Sequence, residues 1–231
     1  MKKLLLILLC VPLIGLGQTA DDYFNKAYDY AENGEYQLAI DNYTKFLRID
    51  PDAGAYHNRG LAYKELGNYK DAISDFTRAI RIDPDYTSAY NYRGIVYHNL
   101  ENYEDAIADF IRALRIDPDY LYAYNNRGNT YKKLGNYEDA IADYNSAIRI
   151  DPDFADLYYN RGNAYAKFGN SEDAISDYTR AIRINPDYSS AYRNRGLAKA
   201  KLGKSSCSDY KRACNLGDKE CCRWYKEDNC R

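Results

Sequence analysis

Thiols, imidazoles and carboxylates are the groups of this chain that could do chemistry, and they are unevenly placed. Five of the six cysteines crowd into the last stretch, as Cys207, Cys214, Cys221, Cys222 and Cys230. Clustered thiols form disulfides or hold zinc. When two helices run antiparallel about a turn, residues equidistant from the turn meet. Cys214 and Cys222 are centred on position 218, and Cys207 and Cys230 almost on the same point. Bridges Cys214–Cys222 and Cys207–Cys230 are therefore expected, leaving Cys221 as a free or intermolecular thiol. Zinc is the rival use of these thiols, but no pair has the CxxC spacing. For acid–base work there are only two histidines, His57 and His98, and the sequence has no glycine-rich phosphate loop or serine elbow. Asp117 and Asp119 flank Pro118 but lack the glycine and closing glutamate of a calcium loop, so turn chemistry is expected of them. No catalytic residue, metal or cofactor is assigned, and the chain is not expected to be an enzyme.

A different pairing recurs along the chain: Arg59 with Asp75, Arg93 with Asp109, Arg127 with Asp143, and Arg161 with Asp177. Where the first unit has Lys26 in place of arginine it has Asn42 in place of aspartate, so both members change together. This pattern predicts a ladder of ion pairs within or between structural units, serving geometry rather than partner choice.

The elements that carry these pairs follow from a strict period. Arg-Gly recurs at 59, 93, 127, 161 and 195, and proline at 51, 84, 118, 152 and 186. Such a period marks a solenoid of stacked units. In one unit, Ala89, Tyr90, Arg93, Gly94, Tyr97 and Leu100 have helical spacing, predicting a helix over 87–100 capped by Thr87 or Ser88. Glu101-Asn102 stops it where other units carry Gly34, Gly67, Gly135, Gly169 and Gly203. A second helix is predicted over 103–116, with Ala106, Ile107, Phe110, Ala113 and Leu114 on one face, and Asp117-Pro118 ends it. Gly94 is expected to face Ala106 and Ala113, letting the two helices approach closely.

With these residues the chain resembles the tetratricopeptide repeat family. One unit carries the family pattern as Tyr56, Gly60, Tyr63, Ala72, Phe76, Ala79 and Pro84, and another as Tyr124, Gly128, Tyr131, Ala140, Tyr144, Ala147 and Pro152. The arginine before each glycine departs from the family's usual leucine. The resemblance covers roughly residues 20–216 and implies an all-α fold, a right-handed superhelical solenoid of about six helix-turn-helix repeats. The run from Ala213-Cys214 to Cys221-Cys222-Arg223-Trp224-Tyr225 also looks like the cysteine-rich, tetratricopeptide-related repeats of secreted bacterial proteins, in which cysteines eight apart staple two helices. The resemblance further implies that the first helix of each unit lines a groove where a protein or peptide partner lies. Carried over position by position, the groove residues are Phe24, Asn25, Tyr28, His57, Asn58, Tyr92, His98, Tyr122, Asn126, Asn129, Lys132, Lys133, Tyr159, Asn160, Asn163, Lys167, Arg193 and Asn194. Asparagine both donates to and accepts from a peptide backbone, and aromatic rings supply contact area at small entropic cost. Acids Asp21, Glu32 and Glu65 sit toward the first units. Lys132, Lys133, Lys167, Arg193 and Lys201 sit toward the last, a gradient able to orient a partner with an acidic end.

The first 17 residues are of another kind. Lys2 and Lys3 precede an apolar run from Leu4 to Leu16 and then Gly17, the pattern of a signal peptide cleaved after Gly17. The run is shorter than the roughly 20 apolar residues a bilayer span needs, so no transmembrane segment is expected in the mature chain. The organisation read from sequence is a signal over 1–17, a repeat array over 18–204 with units starting near 20, 53, 87, 121, 155 and 189, and a degenerate last repeat with a stapled capping helix over 205–231. Net charge is −2, without a basic field for nucleic acid. The function expected is an exported bacterial scaffold, periplasmic or secreted, that binds a protein or peptide segment in its groove. The alternative is a carrier of a small ligand or glycan in the same groove.

Overall fold

A computed structural model describes residues 19–227, and these form helices without a single strand. The expected signal segment and Cys230 lie outside the described residues. The chain divides into two compact units, Met1–Asp75 and Phe76–Arg231, with the division falling inside a helix.

The first unit holds α1 (Ala20–Glu32), α2 (Tyr36–Ile49), α3 (Ala53–Glu65) and the start of α4 (Tyr69–Ile82). Its core is Ala27, Ala39, Ile40, Tyr43, Phe46, Leu47, Ala55 and Ala62. Thr19 caps α1 in a capping box with Asp22, and Asp52 caps α3 by accepting from the Ala55 amide at 2.8 Å.

The second unit continues α4 and adds α5 (Thr87–Asn99), α6 (Tyr103–Ile116), α7 (Leu121–Leu134), α8 (Tyr137–Ile150), α9 (Ala155–Phe168), α10 (Ser171–Ile184), α11 (Ser189–Lys201), α12 (Cys207–Asn215) and α13 (Lys219–Glu227). From α5 to α13 each helix packs on the next in sequence, and α5, α7, α9 and α11 also touch in succession. This is the nearest-neighbour stacking of an all-α helical repeat solenoid.

Two local expectations change. Thr87 and Ser88 do not cap α5; the residue before the helix is Tyr86, without a side-chain cap bond. The aspartate before the proline organises the turn instead. Asp83 Oδ1 accepts from the Asp85 amide at 3.0 Å, and Asp117 and Asp151 do the same one and two repeats on. This Asx geometry is the turn chemistry expected of those acids, and it leaves the threonine inside the helix. Gly94 meets a ring rather than the alanines: a Cβ there would lie 2.7 Å from Phe110. Gly128, Gly162 and Gly196 stand likewise against Tyr144, Tyr178 and Tyr210. Each glycine is thus the slot for a buried aromatic of the second helix, and filling it would overpack the hairpin by about 1–3 kcal/mol.

The last hairpin closes as expected. Cys214 and Cys222 are bridged, joining α12 to α13 across a turn in which Gly217 takes φ 95°. Cys221 is a free thiol with no exposed surface, packed with Tyr210 and Ala213. That burial rules out an intermolecular bridge from the folded hairpin. Among the described residues there is no group of histidine, cysteine, aspartate or glutamate able to hold a metal, and no helix long and apolar enough to cross a membrane.

Candidate partner-binding site

The arginine–aspartate pairs form inside each repeat, and they fix how its two helices meet. Arg127 on α7 donates from Nε and Nη2 to both carboxylate oxygens of Asp143 on α8, at 2.8 and 2.7 Å. Arg59–Asp75, Arg93–Asp109 and Arg161–Asp177 share this forked geometry. The third guanidinium nitrogen reaches back to the preceding repeat: Arg59 to Thr44 at 2.8 Å, Arg93 to Thr77 at 2.9 Å, and Arg195 to Thr179 at 3.1 Å. Tyrosines one turn away, such as Tyr124 under Arg127 at 5.7 Å, complete each cage. Burial lifts the carboxyls of Asp109, Asp143 and Asp177 above the ordinary range, and the paired arginine pulls each partly back. In the last repeat the pair is Arg195–Asp209, and Lys199 adds a contact to the other Asp209 oxygen at 2.7 Å. These groups are enclosed within the scaffold.

The expected groove residues fall into three overlapping sets, with Asn25, Tyr28 and Tyr122 outside them. Several serve the packing. His57 is only 7% exposed. Phe24 packs edge-on against Tyr43 and Phe46, and Tyr92 stacks on Phe76. Tyr159 lies between Tyr178 and Tyr188. Asn58 supports the Tyr43 hydroxyl. Arg193 pairs with Asp218 of the last hairpin at 3.1 Å, so it closes the array rather than greeting a partner. These side chains are correctly placed on first helices, but their atoms are spent on neighbours. Asn25 and Tyr28 are exposed in the first unit, and Tyr122 in the second, 52% exposed beside Tyr120.

The asparagine row is a ladder across repeats. Asn126 donates to Asn91 at 3.0 Å, Asn160 to Asn125 at 3.1 Å, and Asn194 to Asn163 at 2.8 Å. Second-helix tyrosines close the ladder from below: Tyr144 donates to Asn129 at 2.8 Å and Tyr178 to Asn163 at 2.9 Å. His98 joins it by donating from Nδ1 to Thr130 Oγ1 at 2.9 Å, because the Thr130 hydroxyl proton is already given to the Asn126 carbonyl.

The third set surrounds open space. A hollow of about 650 Å³ lies on α7, α9 and α11 and is lined by Lys132, Lys133, Asn163, Lys167 and Asn194, with Tyr137, Ala166, Ser171, Tyr178, Leu197, Ala198 and Lys201. A smaller hollow of about 280 Å³ shares Lys132 and Lys133 and adds Ile95, His98, Asn99, Phe110, Asn126 and Asn129. Seven of the expected residues, Asn126, Asn129, Lys132, Lys133, Asn163, Lys167 and Asn194, therefore converge on one lysine-rich concavity, with His98 at its edge. Lys132 is the most enclosed of the four lysines. Its ammonium donates to Asn129 Oδ1 at 2.9 Å and lies 5.8 Å from the Tyr144 ring. Burial, then the adjacent Lys133, lowers its pKa to about 8. The apolar liners Tyr137, Ala166, Leu197 and Ala198 were missed from sequence. Leu197 had a signal, being an exposed-position leucine where the two preceding repeats have Asn163 and Asn129.

Models of the tetratricopeptide repeat match residues 20–53, 53–86, 87–120, 110–142 and 155–188, and a related repeat model matches 128–169. No curated protein matches the sequence. Solved structures do. The chain is 26% identical to the MamA protein over 75% of this chain and 96% of that one, with TM-score 0.65. It is 28% identical to YrrB, described as a tetratricopeptide repeat protein with an unusual peptide-binding site, over 76% of this chain and 91% of that one, with TM-score 0.62. A tetratricopeptide repeat protein of Parabacteroides merdae is 25% identical over 94% of this chain and 86% of its own, with TM-score 0.68. Periodic sequence, paired helices, glycine slots filled by second-helix rings, and these matches agree: the chain belongs to the tetratricopeptide repeat family.

Proposed function

We propose that this protein is a non-catalytic scaffold that holds a peptide or protein segment against its first helices, in the bacterial envelope or secreted space. The observation that carries the reading is the open concavity on α7, α9 and α11, which has both polar donors and apolar walls. YrrB, a structural relative, has a peptide-binding site of its own. Export is supported by the Lys2-Lys3 start with its apolar run and by the Cys214–Cys222 bridge, since disulfides persist in oxidising compartments. Tyr122, half exposed near the start of α7, is available to extend the contact.

Cross-linking the full chain in intact cells, followed by recovery from the envelope fraction and from the medium, tests the reading. A stoichiometric protein partner whose cross-links map to α7, α9 or α11 is the expected result. Tight binding of a glycan or small ligand without any protein partner would replace it with the carrier reading. N-terminal sequencing of the recovered chain is expected to begin at Gln18; a chain that begins at Met1 in the cell interior would overturn export.

A further inference from the structure

We propose that the hollow on α7, α9 and α11 takes an extended acidic segment of the partner, with successive carboxylates set against successive repeats. The proposal rests on the peptide-scaffold reading and names the chemistry of the segment. Register carries the argument. Lys133, Lys167 and Lys201 hold the same position in three consecutive repeats, so α7, α9 and α11 present one lysine each to the same hollow. Lys132 adds a fourth ammonium on the wall shared with the smaller hollow.

Among the described residues, none lining either hollow is acidic, and none of these four lysines is in a salt bridge. The contrast with neighbouring cations is sharp. Arg193 pairs with Asp218 and Lys199 with Asp209, so the scaffold neutralises the charges it needs for itself. The repulsion that Lys133 exerts on Lys132 is relieved by a bound carboxylate. Asn163 accepts from both Tyr178 and Asn194 through Oδ1, which leaves its N–H groups to donate to a peptide carbonyl. Leu197, 45% exposed, offers apolar contact between the lysines.

Spacing selects an extended segment. Packed helices lie about 10 Å apart, and an extended chain advances about 3.3 Å per residue. Carboxylates at every third residue therefore keep step with the lysine column.

Fluorescence anisotropy with the full chain tests this. The probes are short labelled peptides with glutamate at every third position, the same peptide with glutamine, and a single-stranded oligonucleotide of equal charge. The glutamate peptide is expected to bind best, and Lys167→Glu to weaken it roughly tenfold or more. Lys167→Gln and Lys201→Gln, checked for unchanged melting, are expected to weaken it less and to reduce its salt dependence. Equal binding of the glutamine peptide, tighter binding of the oligonucleotide, or indifference to all the lysine changes would overturn the proposal. Neutral peptides that bind on α7, α9 and α11 while the glutamate peptide does not would sink the acidic assignment and leave the scaffold reading intact. A random-sequence peptide array with no bound member at all would remove both.

Discussion

At the scale of single residues, the buried arginine is the most consequential choice in each repeat. Its charge is enclosed by tyrosines and answered by one forked aspartate, so removing the acid strands a buried cation. Asp143→Ala is expected to cost about 3–5 kcal/mol in urea unfolding, whereas Arg127→Leu with Asp143→Leu should cost clearly less. Equal losses would show that the pair carries no desolvation penalty. The third contact of the arginine also has a sequence signature. Thr44, Thr77, Asn145 and Thr179 accept from it, and Ile111 occupies the matching position beside Arg127. Ile111→Thr should supply the missing acceptor and raise stability by about 0.5–1 kcal/mol; an unchanged or lower melting temperature would count against it. Arginine and aspartate were readable because they vary in step. Asp209 was not, because two residues are missing from the last repeat and its partner falls out of phase. The cross-repeat bonds of the asparagine row were not legible in the sequence for a physical reason: side chains one repeat apart become hydrogen-bonding neighbours once first helices stack, so part of each amide's capacity is used within the scaffold.

At the scale of elements, helix ends and helix contacts decide where strain and charge accumulate. Five of the six repeats close the first helix with a left-handed glycine; the other uses Glu101, at φ 60°. A side chain in that region costs about 1–2 kcal/mol. Glu101→Gly is expected to recover about 1 kcal/mol, read as a higher melting temperature, and a drop would show that the glutamate earns its place by other contacts. The α5–α7 contact through His98 and Thr130 sets a pH response. Burial, then Lys133 and Lys132, holds the His98 imidazole below its ordinary value. A histidine depressed on folding contributes stability that is present above its unfolded pKa, about 6.5, and is lost as pH falls through that value. Lowering pH from 7 to 5 should therefore destabilise the wild type more than His98→Gln. Lys133→Gln should move the imidazole titration upward by NMR; no movement would exclude the lysines as a cause. Helix positions themselves were plain from sequence, since glycine and proline punctuate four of the first five hairpins. The cap at Thr87 was not, because the Asx turn made by the aspartate before proline already shapes the entry.

At the scale of the whole molecule, a repeat array has no distant contacts to lean on, so its ends need separate closure. The Cys214–Cys222 bridge supplies that closure at one end, spanning a separation of 8 residues. A loop of that size is worth roughly 2–3 kcal/mol on a chain-entropy basis. Cys214→Ser with Cys222→Ser should lower protection of α12 and α13 in amide exchange while α5 to α8 stay as they were. Uniform loss along the second unit would instead mean that it unfolds as a single cooperative body. The bridge could be placed from cysteine spacing because a helical hairpin is symmetric about its turn. The burial of Cys221 could not, since that depends on how α13 rolls against Tyr210.

That burial bears on the survival of the staple. Cys221 stands next to a bridged cysteine, where a thiolate would attack the disulfide and scramble it. Burial, followed by the nearby Asp218 carboxylate, pushes its thiol up to about 12. Near neutral pH the thiol is thus held in its protonated, unreactive form. The hairpin therefore guards its own covalent lock for as long as it stays closed. Each opening of α13 releases a thiol placed to undo the bond, and the rate of disulfide exchange becomes a clock for fraying at the end of the array.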